Sequence, residues 1–251
     1  NEEYKSGTRL IEILIETRAK GGATLLNLGP KPDGSLPEPQ EGRVREVALW
    51  HFAVGEALHG TRPWVVTNEG PIWFTKQRDG DTVYAFLTGQ TDWSRGSRRE
   101  FVLGSVSIGS DSKVSVLGQS SEFSEYQPGK DVACRWSEEE DGLHISIARA
   151  QRLYNNSRWP NPVVVKITHA QPALAPPLVR TVGVAGEPKQ FIGNLEDLGD
   201  AAGVQVGFEY QRYAGFVEEL YGNAWTRLPL DTCTAPGEFQ VALPALERGA
   251  Y

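Results

Sequence analysis

The chain reads as a multidomain protein, α/β at its start and all-β afterwards. Three observations predict this. The run Thr24-Leu25-Leu26-Asn27-Leu28-Gly29-Pro30-Lys31-Pro32-Asp33-Gly34 is apolar over most of its first half and lies between two amphipathic helical stretches. A short run apolar on both faces and flanked by helices predicts a parallel strand covered on both sides. After Trp64 the apolar pattern changes to period two and stays so. Finally, Gln171-Pro172-Ala173-Leu174-Ala175-Pro176-Pro177 interrupts the β-pattern, and a second set of alternating runs follows.

A helix is expected over 7–20. Ser6 suits its N-cap, Leu10, Ile11, Leu14 and Ile15 make an apolar stripe, and Gly21-Gly22 stops it. A second helix is expected from about Glu41 to His59, its buried side marked by Val44, Val47, Ala48, Phe52 and Leu58, with Gly60 ending it. Helix, buried strand and helix make one repeat of an α/β barrel plus the preceding helix. In such barrels active sites lie where the loops leave the C-terminal ends of the strands.

Period-two runs Ile72–Thr75 and Thr82–Leu87 flank Arg78-Asp79-Gly80-Asp81, and Asp-Gly between alternating runs predicts a hairpin. Further strands are expected at Glu100–Leu103, Lys113–Leu117, Ala133–Ser137, Leu143–Ile147 and Val163–Thr168, with Asp141-Gly142 supplying another turn. Short strands at this spacing predict an antiparallel β-sandwich. The proline-rich stretch 171–177 reads as a stiff linker. Beyond it, runs at Leu178–Val184, Gln190–Leu195, Val204–Tyr210, Thr226–Leu230 and Glu238–Leu243 read as a further β-module. The chain stops on Tyr251, after Leu246-Glu247-Arg248-Gly249-Ala250, as at the approach to a tyrosine corner. A truncated module is therefore expected.

The opening residues carry a family resemblance. Tyr4-Lys5-Ser6, then Leu10, Leu14 and Ile15, then Lys20-Gly21-Gly22, then Leu25-Leu26-Asn27-Leu28-Gly29-Pro30 with Asp33-Gly34 and Pro37, resemble the end of the catalytic barrel of glycoside hydrolase family 29, the α-L-fucosidases. Gly55-Glu56-Ala57 and Gly60-Thr61-Arg62-Pro63-Trp64 continue the likeness. It is dense over 1–64 and loose over 65–170. Family members often have Asn where Gly22-Ala23 stand. The resemblance implies four segments: the end of a TIM-type barrel over 1–62, a β-sandwich over 63–170, a linker over 171–177, and over 178–251 an incomplete module similar to fibronectin type III. It also implies hydrolysis of terminal α-L-fucosyl bonds of a fucosylated glycan with retention, no cofactor, and an extracellular or periplasmic setting.

A retaining glycosidase needs two carboxylates about 5 Å apart, one nucleophile and one acid/base. The family's pair precedes the matched stretch, so no residue here is carried over as catalytic and the chain by itself is expected to be inactive. Asp33 follows the expected strand, but Asp33-Gly34 after Pro32 reads first as a tight turn. Asn27, Gly29 and Pro30 are placed with Asp33 as structural residues of the barrel rim. Glu12 and Glu16 read as a solvated helix face.

Seven tryptophans occur. Trp50 and Trp64 read as anchors between the expected barrel end and sandwich. Trp93 and Trp159 stand in polar stretches and are the candidate exposed platforms for a sugar ring. They keep a second reading open, that of a non-catalytic carbohydrate-binding or cell-surface scaffold. The four histidines, His51, His59, His144 and His169, show no metal-ligand spacing, and no metal is expected. Cys134 and Cys233 read as unpaired thiols.

Net charge of −7 argues against nucleic-acid binding. No apolar run approaches the roughly 18 residues that a spanning helix needs. The absence of methionine predicts an internal piece of a longer polypeptide. Asn155-Asn156-Ser157 matches a glycosylation sequon.

Overall fold

The structure, a computed structural model, describes residues 4–90, 92–94, 96–120, 129–150, 161–210 and 226–244. It divides into two compact units, Asn1–Ala173 and Leu174–Tyr251.

The first unit opens with helix α1, Gly7–Ala19. Ser6 caps it as expected, its hydroxyl accepting from Arg9 N at 3.1 Å. Gly21, at φ +84°, ends it, its N–H donating to Arg18 O at 3.0 Å. That left-handed conformation is one glycine adopts without steric cost. Helix α2, Glu38–Val54, runs into a single 3-10 turn, Gly55–Ala57.

Between the helices, the expected strand does not form. Residues 22–31 carry no regular secondary structure, and Leu25 is 94% exposed. A strand exists only through the ladder a neighbouring strand offers, and no described strand pairs here. Apolar content alone cannot supply that partner.

Ten strands follow among the described residues of this unit. They are β1 Thr61–Glu69, β2 Ile72–Gln77, β3 Val83–Leu87, β4 Arg98–Leu103, β5 Val106–Ile108, β6 Val114–Val116, β7 Arg135–Glu139, β8 Gly142–Ala148, β9 Val163–Ile167 and β10 Ala170–Pro172. An antiparallel sheet has the order β1-β2-β3-β9-β6, and a second has the order β4-β8-β7. Strand β10 pairs with β5, so Gln171 and Pro172 lie in a ladder rather than in a free linker.

Side-chain alternation explains the layering. On β3, Val83, Ala85 and Leu87 face a core shared with Leu103, Leu143, Ile145 and Ile147 of the smaller sheet. Tyr84 and Phe86 point the other way, onto Ile11, Ile15, Trp50 and Val54 of the two helices. Strand β9 divides likewise, Val165 and Ile167 inward and Val164 toward the helices. The helices thus cover one face of a β-sandwich. Strands β3 and β9, buried on both faces, are apolar almost throughout.

The buried face of α2 is only partly the expected one: Leu58 is buried beyond its end and Val47 packs on the same core, but Ala48 and Phe52 do not. Glu46, Trp50 and Val54 are buried at four-residue spacing, whereas Ala48 is exposed and Phe52 is 91% exposed. The helix has apolar residues on two sides, and the sheet covers only the one headed by the larger Trp50.

The second unit holds β11 Leu178–Ala185, β12 Gln190–Asp197, β13 Val204–Val206, β14 Glu209–Tyr210, β15 Thr226–Arg227, β16 Asp231–Cys233 and β17 Gly237–Ala242. One antiparallel sheet has the order β11-β12-β17, and two short ladders, β13-β16 and β14-β15, accompany it. Leu195, Val206 and Phe239 form its small core, with Phe191 and Phe208 stacked at 5.1 Å.

Candidate functional site

The residues that carry the family resemblance meet in a cleft of about 280 Å³ beside the starts of both helices. Tyr4, Lys5 and Leu10 form one wall, Gln40, Arg43 and Val44 the other, and Leu26, Asn27 and Leu28 the third. Gln40 holds the irregular segment in place. Its Oε1 accepts from Gly29 N at 3.0 Å, and its Nε2 donates to the Tyr4 hydroxyl at 3.5 Å. Asn27, Lys5 and Arg43 give the cleft polar and cationic character suited to hydroxyls or an anionic group. No carboxylate is among its described lining residues.

Asp33 is built into a turn. Its Oδ1 accepts from Ser35 Oγ at 2.7 Å and from Ser35 N at 2.9 Å. The Ser35 hydroxyl, then its amide, hold the carboxyl below its ordinary value. A fully exposed, ionised aspartate of this kind makes a turn and is no general acid. Pro30 stands exposed just before that turn.

Glu46 is the one described carboxyl whose pKa is raised, because burial disfavours its charge. It lies between α1 and α2, receiving Thr8 Oγ1 at 3.4 Å, and is 2% exposed. That position is structural. Glu139 and Asp141, at the tip of the β7–β8 hairpin, come within 4.8 Å of each other and of His144 Nε2. Both are exposed, and His144, 2.6 Å from Asp141, holds Asp141 ionised. A retaining pair needs one partner kept protonated in an enclosed site. Neither hairpin carboxylate meets that need.

Glu12 and Glu16 pair with Arg9 at 3.2 Å and Lys20 at 2.7 Å on the solvated side of α1, as expected.

Trp93 is not an exposed platform. It is 2% exposed, donates Nε1–H to Ser97 O at 2.9 Å, and lies 5.6 Å from the Phe101 ring. The polar residues around it in sequence bond its indole and backbone: Arg149 donates to Trp93 O at 2.6 Å. Polar neighbours therefore marked a satisfied buried indole rather than an exposed one. Trp159 and the Asn155–Ser157 sequon lie outside the described residues. Trp136, on the edge strand β7, is 40% exposed.

The fold also joins two histidines that sequence spacing keeps apart. His51 Nε2 and His59 Nε2 are 2.7 Å apart. Cys134 and Cys233 are both free thiols, as expected.

The helices lie over a β-sandwich, and the cleft that gathers the resemblance-bearing residues stands at their N-terminal ends. The family model described as Alpha-L-fucosidase matches residues 1–56, and over that segment the chain is similar to α-L-fucosidases. An alpha-L-fucosidase of Branchiostoma floridae is 32% identical over 119 residues, covering 46% of this chain and 25% of its own. An alpha-L-fucosidase of Dictyostelium discoideum is 36% identical over 86 residues, 34% of this chain and 19% of its own. The chain thus spans a quarter or less of the length of these relatives. A Thermotoga maritima alpha-fucosidase solved with a mechanism-based inhibitor aligns over 65% of this chain and 34% of its own, at 20% identity and a TM-score of 0.47. Among the described residues, no helix is long and apolar enough to cross a membrane.

Proposed function

We propose that the chain is the C-terminal part of an α-L-fucosidase that releases terminal α-L-fucose from glycans with retention. The observation that carries this reading is the family match over residues 1–56, the stretch that builds the Asn27 cleft. Residues 1–62 then contribute the last helices and rim of a catalytic barrel, residues 63–170 the sandwich beneath it, and residues 178–251 an incomplete module similar to fibronectin type III. The nucleophile and the acid/base come from polypeptide outside these 251 residues, which is why the carboxylates here serve turns, ion pairs and packing. Asn27, Gly29, Pro30 and Asp33 shape the rim. The reaction calls for no cofactor, and an extracellular setting suits a glycan substrate.

Hydrolysis of an aryl α-L-fucoside tests the proposal. The polypeptide that contains this chain together with its preceding segment releases fucose, whereas residues 1–251 alone release none. Turnover by residues 1–251 alone, or none by the longer polypeptide, contradicts it.

A further inference from the structure

We propose that His51 and His59 form a binding site for a borderline divalent transition metal of the zinc, copper or nickel class. His51 lies in the last turn of α2, and His59 follows the 3-10 turn. The chain reverses here through two glycines. His59 N donates to Gly55 O at 2.9 Å, and Gly60 takes φ +64°. A Cβ on Gly55 would meet His51 Cε1 at 3.4 Å and His59 Cδ2 at 3.7 Å. The glycine thus sits against both rings, which approach edge to face with centroids 4.8 Å apart. The pattern His-x3-Gly-x3-His-Gly is what brings the two Nε2 atoms to one point.

That point opens into a cleft of about 370 Å³, also lined by Leu14, Arg18, Thr24 and Leu58. The Arg18 guanidinium is engaged with Thr61, donating to its hydroxyl at 3.2 Å and to its carbonyl. The cleft therefore has room for one ion with water or an anion completing its shell.

The chemistry selects the ion. Neutral imidazole nitrogen suits zinc, copper and nickel, whereas magnesium and calcium require oxygen ligands. Metal–nitrogen bonds of about 2.0–2.1 Å in tetrahedral geometry set the two nitrogens about 3.3 Å apart. The observed 2.7 Å needs only a small opening of the pair. In the metal-free neutral pair, one Nε2–H donates to the other Nε2. On binding, the donor ring carries its proton on Nδ1 instead, both Nε2 lone pairs face the ion, and no net proton is released. Protons compete for the same nitrogens, so affinity falls as pH falls.

The test uses residues 1–251, titrated with zinc chloride by calorimetry and by NMR of the imidazole nitrogens. One equivalent binds, and the Nε2 resonances of His51 and His59 shift together. His51→Gln and His59→Gln each weaken binding roughly ten-fold or more, while His144→Gln changes nothing and magnesium chloride gives no response. The resonance shifts in the unsubstituted chain report the ligands even if a variant folds poorly. Shifts confined to His144, beside Glu139 and Asp141, or to His169, beside Asp81, overturn the proposal. So does an absence of zinc binding.

Discussion

Trp50 donates its indole N–H to the carbonyl oxygen of Pro162 at 2.9 Å across 112 residues of sequence. That bond, with the Trp50 ring packed among Ile11, Ile15, Tyr84 and Val164, fastens the helical layer to the five-stranded sheet. Trp50→Ala is expected to destabilise the first unit by about 3–5 kcal/mol, from lost burial and the cavity left behind. Trp50→Phe keeps most of the packing, orphans the Pro162 carbonyl, and costs about 1–3 kcal/mol. Denaturant unfolding of both variants checks the order.

Phe52, two residues further on, gives the opposite result. Its side chain is almost wholly in solvent, so Phe52→Ser leaves the unfolding free energy within about 0.5 kcal/mol. The same change lowers concentration-dependent association in analytical ultracentrifugation, because it removes exposed apolar area. Residues 1–62 expressed without the sheet additionally uncover Ile11, Ile15, Trp50 and Val54 and are expected to aggregate. A soluble, monomeric product from 1–62 would contradict this.

Gly142 closes the β7–β8 hairpin at φ +131°, where a Cβ would stand 2.6 Å from Leu103 O. Both the backbone conformation and the neighbouring strand exclude a side chain. Gly142→Ala is expected to cost about 1–3 kcal/mol, read as a lowered unfolding midpoint.

His144 titrates above the ordinary imidazole value, chiefly because Asp141 accepts its N–H, with the charges of Asp141, Glu139 and Glu100 adding to the effect. A raised folded-state pKa means the stabilisation is fully present below the unfolded value. It is lost as pH rises through the higher folded value. The pair is exposed, so the effect on unfolding is small. An NMR titration of His144 shows the raised midpoint, and Asp141→Asn returns it toward the ordinary imidazole value.

Much of this architecture was legible because it rests on local chemistry. Ser6 capping α1, Gly21 ending it, and Asp-Gly at 79–80 and 141–142 each fix backbone conformation within a few residues. What sequence misplaced depends on partners far along the chain. Leu25 and Leu26 have the composition of a buried strand, yet a strand needs a neighbour to bond with. The face of α2 that carries Trp50 was chosen by the sheet it meets, and no periodicity distinguishes it from the face carrying Phe52. Strand β1 begins at Thr61, ahead of Trp64 where the period-two pattern was expected to set in, because Thr61 and Arg62 find Gln77 and Lys76 opposite them. At the candidate site, the turn role of Asp33 could be read from Pro32 and Gly34. The bridging of Gln40 between Gly29 and Tyr4, and the meeting of His51 with His59, arise only once the helices are placed.

Fucose release from an aryl α-L-fucoside, compared between residues 1–251 and a longer polypeptide that continues them toward the N-terminus, decides where the catalytic carboxylates lie. The longer polypeptide is expected to hydrolyse the fucoside with retained anomeric configuration, and the 251 residues alone to leave it intact. Hydrolysis by the 251 residues, or a longer polypeptide that leaves the fucoside intact, would contradict that expectation.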